Sequence, residues 1–117
     1  MNTFRFLDFL VYCQAKSLYK KILKITSRLN NYSIKDQVSR ASLSVVLNIA
    51  EGSAKKSDKE FFRFLQVAIG SINEVLACLD IMLDNNYLNK EEFDDLKKEC
   101  EEVARQLGGF SKKLVNG

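Results

Sequence analysis

Apolar residues recur along the chain at alternating steps of three and four, the spacing of a helix that buries one stripe. The clearest run is Phe4, Leu7, Val11, Ala15, Leu18, Ile22, Ile25 and Leu29. It predicts a first helix ended by Asn30-Asn31, a pair that readily turns the chain. Ser33, with Asp36 three residues on, reads as the cap of a second helix over roughly Ile34 to Ser53. That helix carries two apolar rows, Val38-Ser42-Val45-Ile49 and Leu43-Val46/Leu47-Ala50. One polar line remains: Gln37, Arg40, Ser44, Asn48, Glu51 and Lys55. Gly52 and Ser53 close it, since Gly near a C-terminus is a common stop.

Ser57 followed by Glu60 is a capping box, in which each side chain can satisfy the other residue's amide. It opens a third helix with Phe61, Leu65, Ala68, Ile72, Val75, Leu79 and Met82 on one row. Phe62, Ile69, Leu76 and Leu83 form a second row, and Asn85-Asn86 ends the helix. Asn89 with Glu92 repeats the capping logic for a fourth helix, whose stripe is Phe93, Leu96, Cys100, Val103, Leu107, Phe110 and Leu114. Its acidic first turns and Lys112-Lys113 near its end both suit the helix dipole. Gly108-Gly109 inside this stripe implies a close helix approach or a kink, because each Gly costs roughly 1 kcal/mol in a helix interior. The reading is all-α: an antiparallel up-down-up-down four-helix bundle filling residues 1–117 as a single domain. Helices two and three are apolar on more than one face, an excess that points to self-association.

Composition narrows the chemistry. The chain has 117 residues with no Pro, His or Trp. The missing Pro fits long uninterrupted helices. The missing His removes histidine catalysis and the Glu-x-x-His metal sites of helical bundles. Glu51, Glu60 and Glu74 are the only carboxylates we weigh for a hard cation, and basic neighbours make pairing the better reading. No phosphate-cradling Gly motif is present, and no Ser or Cys has an imidazole base. The sequence therefore predicts a non-enzyme with no cofactor, metal or small-molecule substrate. Cys13, Cys78 and Cys100, odd in number and widely spaced, read as free thiols in a reducing compartment. With no signal segment or transmembrane run expected, the expected location is cytoplasmic, away from membranes.

Two charge patterns stand out. Arg40 with Glu74, and Glu51 with Arg63, fall at matching levels of an antiparallel hairpin centred on residue 57, as do Ser44 and Gly70. They predict two ion pairs that set the register of helices two and three; the competing reading is a polar site at a subunit interface or ligand pocket, using Asn48 and Glu51. The second pattern is basic. Residues 1–32 hold six basic residues and one acidic. Lys16, Lys20, Lys24 and Arg28 recur every four residues, with Lys21 beside them. Such a ridge can follow a phosphate backbone, and four contacts give a salt slope of roughly −3 to −4. Tyr12, Tyr19 and Tyr32 lie nearby for base stacking. The bland alternatives are a solvated lysine face and half-buried packing tyrosines.

Gln37-Val38-Ser39-Arg40-Ala41, then Leu47-Asn48-Ile49-Ala50-Glu51-Gly52, resembles a signature of the four-helix bundle proteins encoded in intervening sequences of 23S ribosomal RNA genes. Lys59-Glu60-Phe61-Phe62-Arg63-Phe64-Leu65 with Ala68-Ile69-Gly70-Ser71-Ile72-Asn73-Glu74 is similar to its second motif. The resemblance spans nearly the whole chain. Two local departures are Val11-Tyr12, where the family often has Trp, and Val46-Leu47, where it often has Pro. The resemblance implies an antiparallel bundle assembled as a ring-like homopentamer, and a likeness to accessory variability proteins of diversity-generating retroelements, which are basic and bind nucleic acid. Its motif residues fall here on Gln37, Arg40, Asn48, Glu51, Gly52, Glu60, Arg63, Gly70, Ser71 and Glu74, which we read as structural. Two functions follow as expectations: binding of RNA or DNA through Lys16, Lys20, Lys21, Lys24 and Arg28, or a protein–protein scaffold ring with no direct nucleic-acid role.

Overall fold

The computed structural model describes residues 4–116. A short 3-10 turn, Arg5–Asp8, precedes four α-helices: α1 (Leu10–Thr26), α2 (Tyr32–Ser53), α3 (Asp58–Asp84) and α4 (Lys90–Asn116). They form a rod of 46 × 22 × 20 Å. Each helix packs on its neighbour in sequence, and α1 closes the bundle on α4. Side-chain partners fix the directions. Ser44 of α2 meets Ser71 of α3, while Gln37, earlier on α2, meets Glu74, later on α3. Lys21 of α1 and Arg28, just past its end, likewise meet Glu99 and Glu92 of α4 in reverse order. Both pairs of helices are therefore antiparallel.

The predicted stripes form one core. Val11, Ala15, Leu18 and Ile22 of α1 are buried with Val38, Val45 and Ile49 of α2, and the two long helices add their own rows, including Leu65, Leu79, Leu96 and Leu107. By length and composition alone α3 is apolar enough to cross a membrane, at a mean hydropathy of 1.5 over 18 residues, contrary to the sequence expectation of no such run. In the bundle its apolar row supplies the core instead.

The start of α1 departs from the periodic reading. Phe4 and Leu7 are 62% and 54% exposed, and the helix begins only at Leu10. Phe9 explains the difference. At about 100° per residue, a helix continued through Phe9 would aim its ring away from the stripe defined by Val11 and Leu18. Phe9 is instead extended (ψ 129°), and its ring centroid lies 6.4 Å from Phe61 and 5.3 Å from Phe110. Phe9 is only partly buried, so it gains less than the roughly 1.5–3 kcal/mol of a fully buried ring, and its two aromatic contacts add to that gain in favour of the turned-in position. Arg5 covers this aromatic cluster. Its guanidinium sits 5.8 and 5.6 Å from the Phe9 and Phe61 centroids and donates to the Ser53 carbonyl at 3.2 Å, capping the end of α2.

The caps mostly follow the sequence logic. Asn31, not Ser33, caps α2: its Oδ1 accepts from the Ile34 amide at 3.1 Å, and the helix starts two residues earlier than expected. Both residue types are good caps, and the chain uses the first one. Ser57 accepts from the Glu60 amide at 3.2 Å, one half of the expected box. The box at α4 is complete, with the Glu92 amide donating to Asn89 Oδ1 at 2.8 Å and the Asn89 amide donating to Glu92 Oε1 at 3.0 Å. At the end of α3, Asn86 takes a left-handed φ of 62°. The Tyr87 amide then reaches back to the Met82 carbonyl and the Asn86 amide to Leu83, a Schellman stop.

Gly108-Gly109 implied a close helix approach or a kink, and Gly70 lay level with Ser44; neither a close approach nor a break in α4 is found at them. A Cβ added at Gly70, Gly108 or Gly109 would meet nothing within 4 Å, and α4 runs on through its pair. The close approach is at Gly52, where a Cβ would lie 2.8 Å from both Phe61 Cδ1 and Phe64 Cβ.

Candidate nucleic-acid interface

The four lysines of α1 and Arg28, just past its end, divide into two groups. A step of four residues overshoots one turn by about 40°. The row Lys16-Lys20-Lys24 therefore winds across the outer surface of α1, and Arg28, in the turn two residues past the helix, reaches the seam with α4. Lys21 points into that seam directly. Its ammonium lies 2.6 Å from Glu99 and 3.8 Å from Asp95. Arg28 lies 2.7 Å from Glu92 and also donates to the Tyr87 carbonyl at 3.2 Å.

These pairings shift the ionisation of their members. The hydrogen bond that Lys21 donates to Glu99 raises the ammonium above its ordinary value, against a smaller desolvation effect. The hydrogen bond with Glu92 does the same for Arg28. Glu92 is held below the usual carboxylate range, first by Arg28 and then by the Asn89 amide. Lys21 and Arg28 thus fasten α1 to α4, a role that the four-residue spacing did not suggest.

Lys16, Lys20 and Lys24 are exposed and make no ion pair among the described residues. Lys16 lies over the Tyr12 ring at 4.9 Å. Tyr12 and Tyr19 are half-buried against the core, and Tyr32, first residue of α2, is 77% exposed. The outer face of α1 therefore carries three unneutralised cations beside aromatic rings.

The polar line between α2 and α3 is arranged differently from the sequence reading. The two expected ion pairs, Arg40–Glu74 and Glu51–Arg63, are not formed within the chain. Arg40 lies 3.8 Å from Asp36 on its own helix, and Glu74 accepts from Gln37. Arg40, Glu51, Arg63 and Glu74 are all exposed, so no desolvation penalty obliges them to pair. The register contact is a neutral one: Ser44 Oγ and Ser71 Oγ are 2.8 Å apart, and the Asn48 amide donates to the Ser44 carbonyl and hydroxyl. Ser71, not Gly70, is the small partner of Ser44. Near the turn, Asn48, Lys55, Glu60, Arg63, Phe64 and Val67 line an open cavity of about 330 Å³.

No group of three or more His, Cys, Asp or Glu able to hold a metal occurs among the described residues. Cys78 and Cys100 are buried, and desolvation pushes the Cys100 thiol up to about 12, where it is inert. Cys13 is exposed.

The chain has the fold of a crystal structure of a protein with unknown function from the S23 ribosomal protein family of Bacteroides thetaiotaomicron VPI-5482. The two align with a TM-score of 0.82 at 20% identity, over 88% of this chain and 99% of that one. Residues 7–109 match the 23S rRNA-intervening sequence protein family, and the chain belongs to that family. No curated protein matches it.

Proposed function

We propose that this protein is a self-assembling, non-enzymatic bundle that binds nucleic acid through the outer face of α1. The observation that carries the reading is the separation of the basic residues. Lys16, Lys20 and Lys24 remain available to phosphate, while Lys21 and Arg28 are occupied by carboxylates of α4. Three phosphate contacts give a salt slope of roughly −2 to −3, shallower than the four-contact expectation. Self-association rests on a different surface. Leu47 and Val67, 50% and 53% exposed, flank the α2–α3 groove beside the open Gly70 position. Arg63 lies beside Val67 around the same opening, and Arg40, Glu51 and Glu74 are likewise exposed on these two helices. A homopentamer, as the family resemblance implies, would repeat the α1 face five times and multiply a weak attraction.

The test is binding of a fluorescein-labelled RNA at low salt to the wild-type protein and to the Lys20→Glu, Lys24→Glu variant. Binding by the first and its loss in the second support the reading. Equal binding by both defeats it, as does no binding by either. Copurification of a protein that survives nuclease and high salt would favour the scaffold alternative.

A further inference from the structure

Beside the lysine ridge runs an aromatic flank that phosphate binding leaves unused. Tyr12 and Tyr19 are seven residues apart, so they drift by only about 20° around α1 and lie about 10 Å apart along it. Lys16 falls between them on the same flank, with its ammonium 4.9 Å from the Tyr12 centroid. Leu23, four residues after Tyr19, continues the flank and is 42% exposed. Lys21 is about 200° round the helix from Tyr19, which is why the seam and the aromatic flank do not compete. Both rings are half-buried, so one part of each is fixed against the core while the rest meets solvent. The Tyr12 ring already carries the Lys16 ammonium on its face and Phe6 at 5.0 Å, so a base stacks there by displacing Lys16 toward the adjoining phosphate. Tyr19 makes no ring or cation contact among the described residues. The exposed Tyr32 lies beyond, at the start of α2. The cations and the rings start together at Lys16 and Tyr12 and diverge along the helix, giving two adjoining tracks of different chemistry.

A duplex offers such a surface only its phosphates, because its bases are paired and stacked on one another. A single strand offers phosphates on one side and unstacked base faces on the other. We infer that the α1 face takes single-stranded nucleic acid, with phosphates along Lys16, Lys20 and Lys24 and bases against Tyr12 and Tyr19. This rests on the nucleic-acid reading above and narrows it to one strand form. Sequence preference is weak, since every base has a flat face and no side chain on the flank is set to read a base edge.

The test compares a labelled 12-nucleotide RNA of mixed sequence, alone and annealed to its complement, by fluorescence anisotropy at low salt. The single strand is expected to bind at least five-fold more tightly. Tyr12→Leu and Tyr19→Leu should each weaken single-strand binding about five-fold or more, as loss of one stacked base does, and leave duplex binding within two-fold. Tyr19→Phe, which keeps the ring, should bind as the wild type does. The chain has four tyrosines and no tryptophan, so stacking also appears directly as tyrosine quenching in the unmodified protein. That readout decides the matter if a Leu variant loses its helical circular dichroism. Equal binding of both forms, unaffected by Tyr→Leu but lost in Lys20→Glu, overturns the single-strand inference and leaves the phosphate ridge standing. No binding of either form overturns both.

Discussion

The Lys21 ammonium sits 2.6 Å from the Glu99 carboxylate and bridges α1 to α4. In the first turn of α4, Glu92 meets Arg28, which lies just past the end of α1, at 2.7 Å. A basic side chain committed to a carboxylate within the bundle is poorly placed to meet a phosphate, so these contacts decide which cations remain free. The pair is partly exposed, and its coupling is expected to be small, about 0.2–1 kcal/mol. A double-mutant cycle with Lys21→Ala and Glu99→Ala, followed by urea unfolding, measures it. Lys20→Ala, outside the seam, should change stability by less than about 0.5 kcal/mol. Equal destabilisation by Lys20→Ala and Lys21→Ala would remove the distinction.

Acid should loosen the same seam. The folded state holds Glu92 below the ordinary carboxylate range, through Arg28 first and the Asn89 amide second. A carboxylate depressed on folding contributes stability that is present above its unfolded value, near about 4.3. That contribution is lost as the pH falls through the lower folded value. The melting temperature should therefore drop below about pH 4.3, and less steeply in Glu92→Gln. An identical acid profile in the variant would show that Glu92 is not the group involved.

Gly52 and Gly108 should respond oppositely to alanine. At Gly52 the added Cβ meets Phe61 and Phe64 at 2.8 Å, and one of those atoms is a Cβ fixed to its own backbone. Gly52→Ala should cost about 1–3 kcal/mol by forcing α2 and α3 apart. At Gly108 the space is open, so Gly108→Ala should gain about 1 kcal/mol of helix propensity. Thermal unfolding of the two variants checks both signs.

The thiols should separate by burial. Cys13 is exposed, whereas Cys78 and Cys100 are buried and desolvation raises both thiols. An aromatic disulfide reagent should label one thiol per chain rapidly under native conditions and the other two only at the rate of unfolding. Rapid labelling of all three would mean that the α3–α4 side of the core is open.

Much of this architecture was legible in the chain. The three-four spacing located all four helices, and Asn89 with Glu92 announced a box that forms in full. The misreadings share a cause: a linear pattern does not say which face a neighbour occupies. Phe4 and Leu7 fit the stripe of α1, but the gain from turning Phe9 inward ends the helix before them. Arg40 and Glu74 match in level across the hairpin, yet both sit on the solvent side, where water competes with pairing. Lys21 and Arg28 look like members of a ridge until the carboxylates of α4 are placed beside them. The acidic start of α4 was the available signal, since an antiparallel fourth helix brings Glu92, Asp95 and Glu99 alongside the end of α1.

The most direct test is the salt dependence of RNA binding. Plotted as log affinity against log salt, the wild-type slope should be roughly −2 to −3, set by Lys16, Lys20 and Lys24. Lys24→Ala should reduce its magnitude by nearly one, and Lys21→Ala should leave it unchanged. A slope that responds to Lys21 but not to Lys24, or binding that does not depend on salt, would contradict the account.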